Sequence, residues 1–177
     1  MSDITQPLRL AVGSHKAGTG KGCAMNVISW ENGDKTITDF PECADQYLAS
    51  EVQMLNDTYC THRDGDLLCP ACSVIVLGVA HRLVGTGTAM FDRFDLHERD
   101  DVHETWRRRL CALDSNEAYR VELCKIIDEF YAITGLVEQS PPPAETVQAA
   151  VASMLADGFE STNHQQPRQR RGNHANH

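Results

Sequence analysis

The sequence predicts an all-α fold: a single compact domain of five to six helices around a central apolar helix, with little or no β-structure. Three observations predict it. Apolar residues recur at helical intervals in one segment after another. Prolines stand near the starts of these segments and glycines at their ends. A strand pattern is confined to at most one short N-terminal stretch. At 177 residues the chain is long enough for one domain with a real core and short for two. The helical domain is placed at residues 1–159, and the polar tail 160–177, free of Phe, Tyr and Trp, is expected to be disordered.

The elements follow in order. "CAMNVISWEN" closes on Gly33 and offers Val27, Ile28 and Trp30 as buried residues of a short helix. "TDFPECADQYLASEVQMLNDTY" puts Pro41 in a first-turn position and spaces Ala44, Leu48, Val52, Leu55 and Tyr59 as one apolar stripe. "CPACSVIVLGVAHRLVG" is apolar nearly all round, which predicts the central buried helix. A loop with Met90, Phe91 and Phe94 leads to "DDVHETWRRRLCAL", where Val102, Trp106 and Leu110 share a face. Asp114 and Glu117 resemble a capping box ahead of "AYRVELCKIIDEFYAITG", which ends on Gly135. The prolines at 141–143 separate this helix from a last amphipathic one carrying Val147, Val151, Met154 and Leu155.

Composition narrows the function. The net charge is −9, and the tail from Glu160 holds three arginines against one acid, so residues 1–159 carry 13 basic and 24 acidic residues, or −11. Such a body repels nucleic acid, so no nucleic-acid partner is expected, and it suits solubility or a basic partner. No apolar run approaches a membrane span and "MSDITQPLRL" lacks a signal-peptide core, which predicts a cytoplasmic protein with no membrane association. In that compartment seven cysteines read as thiols or metal ligands rather than as disulfides.

The stretch "LRLAVGSHKAGTGKGCAMN" has the look of a phosphate-binding loop, but His15 stands where the first glycine is required and Gly22 where the magnesium-binding hydroxyl is required. No nucleotide is therefore expected. Cys23 in the same stretch sits at a predicted helix start, where free amides and the helix dipole favour a thiolate and Lys21 adds positive charge. It is a candidate nucleophile, with His15 as candidate base and Asp39 as the acid that would orient it; His62 or His81 would be the alternative base. The competing reading makes Cys23 and Cys43 small buried residues that pack a helix start against a turn.

A second constellation lies in "CTHRDGDLLCPAC". Cys60, His62, Cys69 and Cys72 form a Cys-x-His-x6-Cys-x2-Cys series within thirteen residues, a donor set suited to structural zinc. The one-residue gap between Cys60 and His62 is unusual, and a spacing of three on a helix also suits plain packing. Buried or loop thiols and a redox dithiol of Cys69 and Cys72 are the other readings. Catalytic zinc is disfavoured, since the histidines of "HERDDVHE" are six apart and no His-x-Glu precedes the Cys-Pro-Ala-Cys pair. Arg107, Arg108 and Arg109 read as a solvated helix face, and His81 as a satisfied core histidine.

The segment "GSHKAGTGKGCAMNVISW", then "TDFPEC", "LND" and "RLVGTG", resembles a group of small uncharacterised proteins of actinobacteria and their phages over about residues 13–87. In that group a Gly-x-Cys-x-Met helix start precedes an Asp-His-Pro-x-Cys turn, and this chain has Phe40 in place of the histidine. The resemblance implies a fold and a source more than a function; residues 88–159 would be additional helices. Three function classes follow. The leading one is a non-enzymatic helical protein that binds another protein, as a phage accessory protein acting on a host factor. The others are a cysteine-dependent hydrolase or transferase using Cys23, and a redox or metal-sensing protein using Cys69 and Cys72.

Overall fold

Seven helices and no strand form among the residues described by the computed structural model, which are 8–13 and 21–156. They are α1 (Ala24–Glu31), α2 (Gln46–Thr58), α3 (Pro70–His81), α4 (Ala89–Arg93), α5 (Leu96–Cys111), α6 (Asn116–Thr134) and α7 (Ala144–Ala156). The all-α expectation holds, with α4 forming where a loop is expected. The expected tail, and the loop containing His15, lie outside the described residues.

Local chemistry sets the boundaries. Pro41 is not in the first turn of α2: that helix begins at Gln46 because Asp45 caps it, accepting from the Leu48 N–H at 3.1 Å. The expected Asp114–Glu117 capping box does not form. Ser115 is the cap, accepting from the Ala118 N–H, while Glu117 instead holds Arg120 at 2.6 Å and Tyr59 Oη at 2.7 Å. The box occurs at α5, between Asp95 and Glu98, and starts that helix earlier than its apolar face suggests. Gly135 ends α6 in the left-handed region at φ 72°, as expected.

One core joins the helices. α1 packs against α2, α3 and α7; α2 also meets α3 and α6, and α5 lies on α6. Leu48, Val52 and Leu55 are buried from α2, Trp106 and Leu110 from α5, and Leu123, Ile126, Ile127 and Phe130 from α6. Full burial of such side chains stabilises by about 1.5–3 kcal/mol each. Of the last amphipathic face, Val147 and Val151 are buried; the side chains of Met154 and Leu155 lie outside the described ones. α3 departs from expectation. Val76, Leu77, Val79 and Ala80 face the core, but Val74 is 62% exposed and Ile75 39%, so its apolar composition serves a surface as well as the core.

Two sequence motifs far apart in the chain meet here. Gly85 and Gly87 both donate backbone N–H bonds to the Cys43 carbonyl, at 2.8 and 3.2 Å. Between them, the buried Thr86 hydroxyl accepts from the Asp45 N–H at 2.8 Å and donates to the Leu83 carbonyl at 2.6 Å. The "RLVGTG" stretch thereby locks the "TDFPEC" turn onto the end of α3.

Candidate metal centre

The site is built on a tight turn. Asp64 and Leu67 exchange both backbone hydrogen bonds at 3.0 Å, and Gly65 supplies the positive φ of 61° that a two-residue hairpin turn needs at its first central position. Counting outward, His62 falls opposite Cys69, and His62 Nε2 lies 3.5 Å from Cys69 Sγ. Cys60 and His62, two apart on one hairpin arm, reach the same side, which gives the unusual first spacing its physical sense.

On the other arm, Cys69 caps α3 with Pro70 in the first helical position. Its sulfur accepts the Cys72 N–H at 3.4 Å, and its own N–H donates to Cys60 Sγ at 3.4 Å. The ligand atoms of Cys60, His62, Cys69 and Cys72 all lie within 4.8 Å of one another. Ligands at ~2.0–2.3 Å from a tetrahedral centre stand roughly 3.3–3.8 Å apart, so the cluster closes on an ion by contracting about 1 Å. Cys60 and Cys72 are buried, Cys69 half-buried and His62 exposed.

The N-terminal segment holds the hairpin in place. The Leu68 N–H donates to the Leu10 carbonyl at 2.9 Å and the Val12 N–H to the Asp66 carbonyl at 2.8 Å. Ser73 Oγ accepts the Leu10 N–H at 2.9 Å and donates to the Cys69 carbonyl at 3.0 Å, and Arg9 Nε donates to the Leu68 carbonyl at 3.0 Å. Lys21 adds an ion pair to Asp66 at 2.6 Å.

The thiols share their protons unevenly. The Cys72 backbone N–H, then its thiol, hold Cys69 below the ordinary thiol value. Burial, and then hydrogen bonding with Cys69 and Cys60, pushes Cys72 up to about 12. A coordinated cation takes thiolates and displaces those protons. The four residues therefore form a cluster that can hold a metal ion such as zinc, with every tetrahedral position filled by protein.

Cys23 is enclosed by its surroundings. It caps α1, but it is wholly enclosed; its Sγ–H donates to Asp39 Oδ1 at 3.4 Å and its sulfur accepts from Gln53 Nε2 at 3.2 Å. Burial, and next the Asp39 charge, push the thiol far above its ordinary value, outweighing the Asn26 N–H and Gln53 that favour the thiolate. Enclosure thus favours the thiol over the thiolate that a nucleophile needs. Asp39, expected to orient a histidine, accepts from Cys23 and, at 2.8 Å, from Asn26 Nδ2. Among the described residues no histidine hydrogen-bonds to Cys23, and His15 lies outside them.

Other sequence candidates find ordinary places. His97 is exposed and His103 stacks on Tyr47 at 4.4 Å, so the pair does not converge. Arg107 and Arg108 pair with Glu104 on the α5 surface, whereas Arg109 bridges to Glu122 and Glu129 of α6. His81 is buried with Nε2 2.7 Å from Glu31 Oε2, a partner fifty residues away that no motif marks.

No helix among the described residues is long and apolar enough to cross a membrane. Comparison with known proteins finds no matching family, no similar curated protein and no similar solved structure.

Proposed function

We propose that the chain is a non-enzymatic helical binding protein in which Cys60, His62, Cys69 and Cys72 hold a structural zinc ion. It acts by binding another protein, as a phage accessory protein on a host factor. The observation that carries the metal assignment is the convergence of four donor atoms within 4.8 Å. Three sulfurs and one imidazole nitrogen suit zinc over hard cations, which prefer oxygen. A closed donor set offers no position to substrate, which supports a structural over a catalytic role. The enclosure of Cys23, which favours its neutral thiol, weighs against the hydrolase reading. Apolar side chains at the surface, with Phe91 57% and Leu96 62% exposed, supply contacts for a partner. The phage and host assignment rests on the sequence resemblance over about residues 13–87.

Elemental analysis and thiol titration on one untagged preparation test the metal. About one zinc per chain is expected, with three thiols regaining reactivity on chelation. A metal-free protein with a reversible Cys69–Cys72 disulfide would put the redox reading in its place. Crosslinking in an actinobacterial cell tests the binding role. A single partner is expected that rebinds the purified chain stoichiometrically; a chain recovered alone contradicts the role.

A further inference from the structure

His81 is half satisfied. Its side chain is 5% exposed, its Nε2 faces Glu31, and its Nδ1 has no hydrogen-bond partner among the described residues. The Glu31 carboxylate accepts, so Nε2 carries a proton toward it and Nδ1 is the ring nitrogen left to face another partner. Of the pair, Glu31 Oε1 is enclosed without a partner among the described residues. A buried polar atom left in this state is costly, and in native structures it commonly has a ligand or water to serve it.

The ring lies where a ligand would reach it. A cavity of about 480 Å³ opens between the end of α1, the end of α3 and the segment that leads into α7. Its apolar walls are Ile28, Trp30, Val84 and Pro142, with Gln139 and Thr146 as polar groups, and both His81 and Glu31 line it. A second lobe of about 550 Å³, bounded by Leu77 and Val147 among others, shares His81 and Pro142 with the first. The size and the mix of apolar walls with a few polar groups are those of a small-molecule site.

We propose that this cavity binds a small, mostly apolar aromatic molecule that donates one N–H or O–H to Nδ1 of His81. Trp30 and Pro142 offer flat surfaces to the ring, and Glu31 fixes the imidazole tautomer. Neither residue belongs to the metal cluster, so the site stands or falls apart from the zinc assignment.

The test uses the full chain, isotopically labelled, with indole and benzofuran as probes. The two are nearly the same shape, and only indole carries a donor. Indole is expected to saturate one site, shifting amides around Trp30, His81 and Gln139, with benzofuran about 2- to 10-fold weaker, the worth of one net hydrogen bond. The His81 Nδ1 resonance in a long-range proton–nitrogen spectrum should move with indole and stay fixed with benzofuran. In His81→Phe the two probes should bind equally; if that variant fails to fold, the Nδ1 resonance of the unaltered protein decides. The proposal is overturned by absence of saturable binding, by equal affinity with Nδ1 unmoved, or by a doubly protonated ring.

Discussion

Gly87→Ala removes nothing and adds one methyl group, yet it should be among the most damaging single changes in this chain. A Cβ at Gly87 would lie 2.3 Å from the Glu42 carbonyl oxygen, against 3.4–4 Å for ordinary contact. The obstacle is backbone and has no rotamer to yield, so the turn before α2 must move away from the end of α3 by about 1 Å. That movement strains the Gly85 and Gly87 hydrogen bonds to Cys43, each worth about 1 kcal/mol. Overpacking adds about 1–3 kcal/mol, for a total of roughly 3–5 kcal/mol, out of a typical total stability of about 5–15 kcal/mol. Gly78→Ala is the control. Nothing lies within 4 Å of its added Cβ, and in the interior of α3 it should stabilise by up to about 1 kcal/mol. Urea unfolding followed by circular dichroism should show the Gly87→Ala midpoint fall by roughly 1.5–2.5 M, taking a slope of about 2 kcal/mol/M. A Gly87→Ala protein within about 0.5 kcal/mol of the parent, or a Gly78→Ala protein equally damaged, refutes the reasoning.

Three further outcomes follow from the same structure. Zinc bound at the proposed site should raise the melting temperature over that of the metal-free chain by about 6–12 °C. The ion closes the loop from Cys60 to Cys72, worth about 3 kcal/mol by chain entropy, and a chain of this size loses about 2–4 °C per kcal/mol; calorimetry that shows no change in protein shown to have lost its metal contradicts a structural role. Alkylation followed by peptide mass mapping should label exposed Cys111 and leave Cys23 unmodified until denaturant is added, because the Cys23 thiol is enclosed and held neutral; equal rates would sink that description. Asp45 titrates in the folded protein above its ordinary value, because burial outweighs the Leu48 N–H that caps it. The folded state then binds its proton more tightly than the unfolded chain. The group's contribution to stability is greatest below the unfolded value near ~3.9 and declines as pH rises through the folded value. Asp45→Asn keeps a capping oxygen and should gain on the parent over that rise; a stability difference that is flat with pH would show that burial does not govern this carboxyl.

How much of this was legible in the sequence depended on the range of the interaction. The Gly135 stop and the middle of the α2 stripe, Leu48, Val52 and Leu55, are local patterns with local causes and appear where the sequence predicts them, whereas Ala44 and Tyr59 lie outside the helix. The cluster that could hold a metal was legible because Cys60, His62, Cys69 and Cys72 fall within one short hairpin and the first turn of α3, so register alone brings them together. Ser115 and Asp114 are adjacent and both able to cap, and only the backbone path into α6 chooses between them. α3 misled because an apolar composition cannot tell a buried face from a surface face. For Cys23 the helix-start rule was sound locally. It lost to burial and to Asp39, a neighbour sixteen residues away. The His81–Glu31 pair spans fifty residues and left no trace in any motif.

The most direct test of the central claim is the absorption spectrum of the full chain loaded with cobalt(II) in place of the proposed zinc. Three thiolates and one imidazole around the ion predict one cobalt per chain, an intense visible band of tetrahedral type and a sulfur-to-metal charge-transfer band. Both should vanish on addition of one equivalent of zinc and be absent or altered in Cys72→Ala. A weak octahedral spectrum, or a spectrum unchanged by Cys72→Ala, would show that these four residues do not hold the metal.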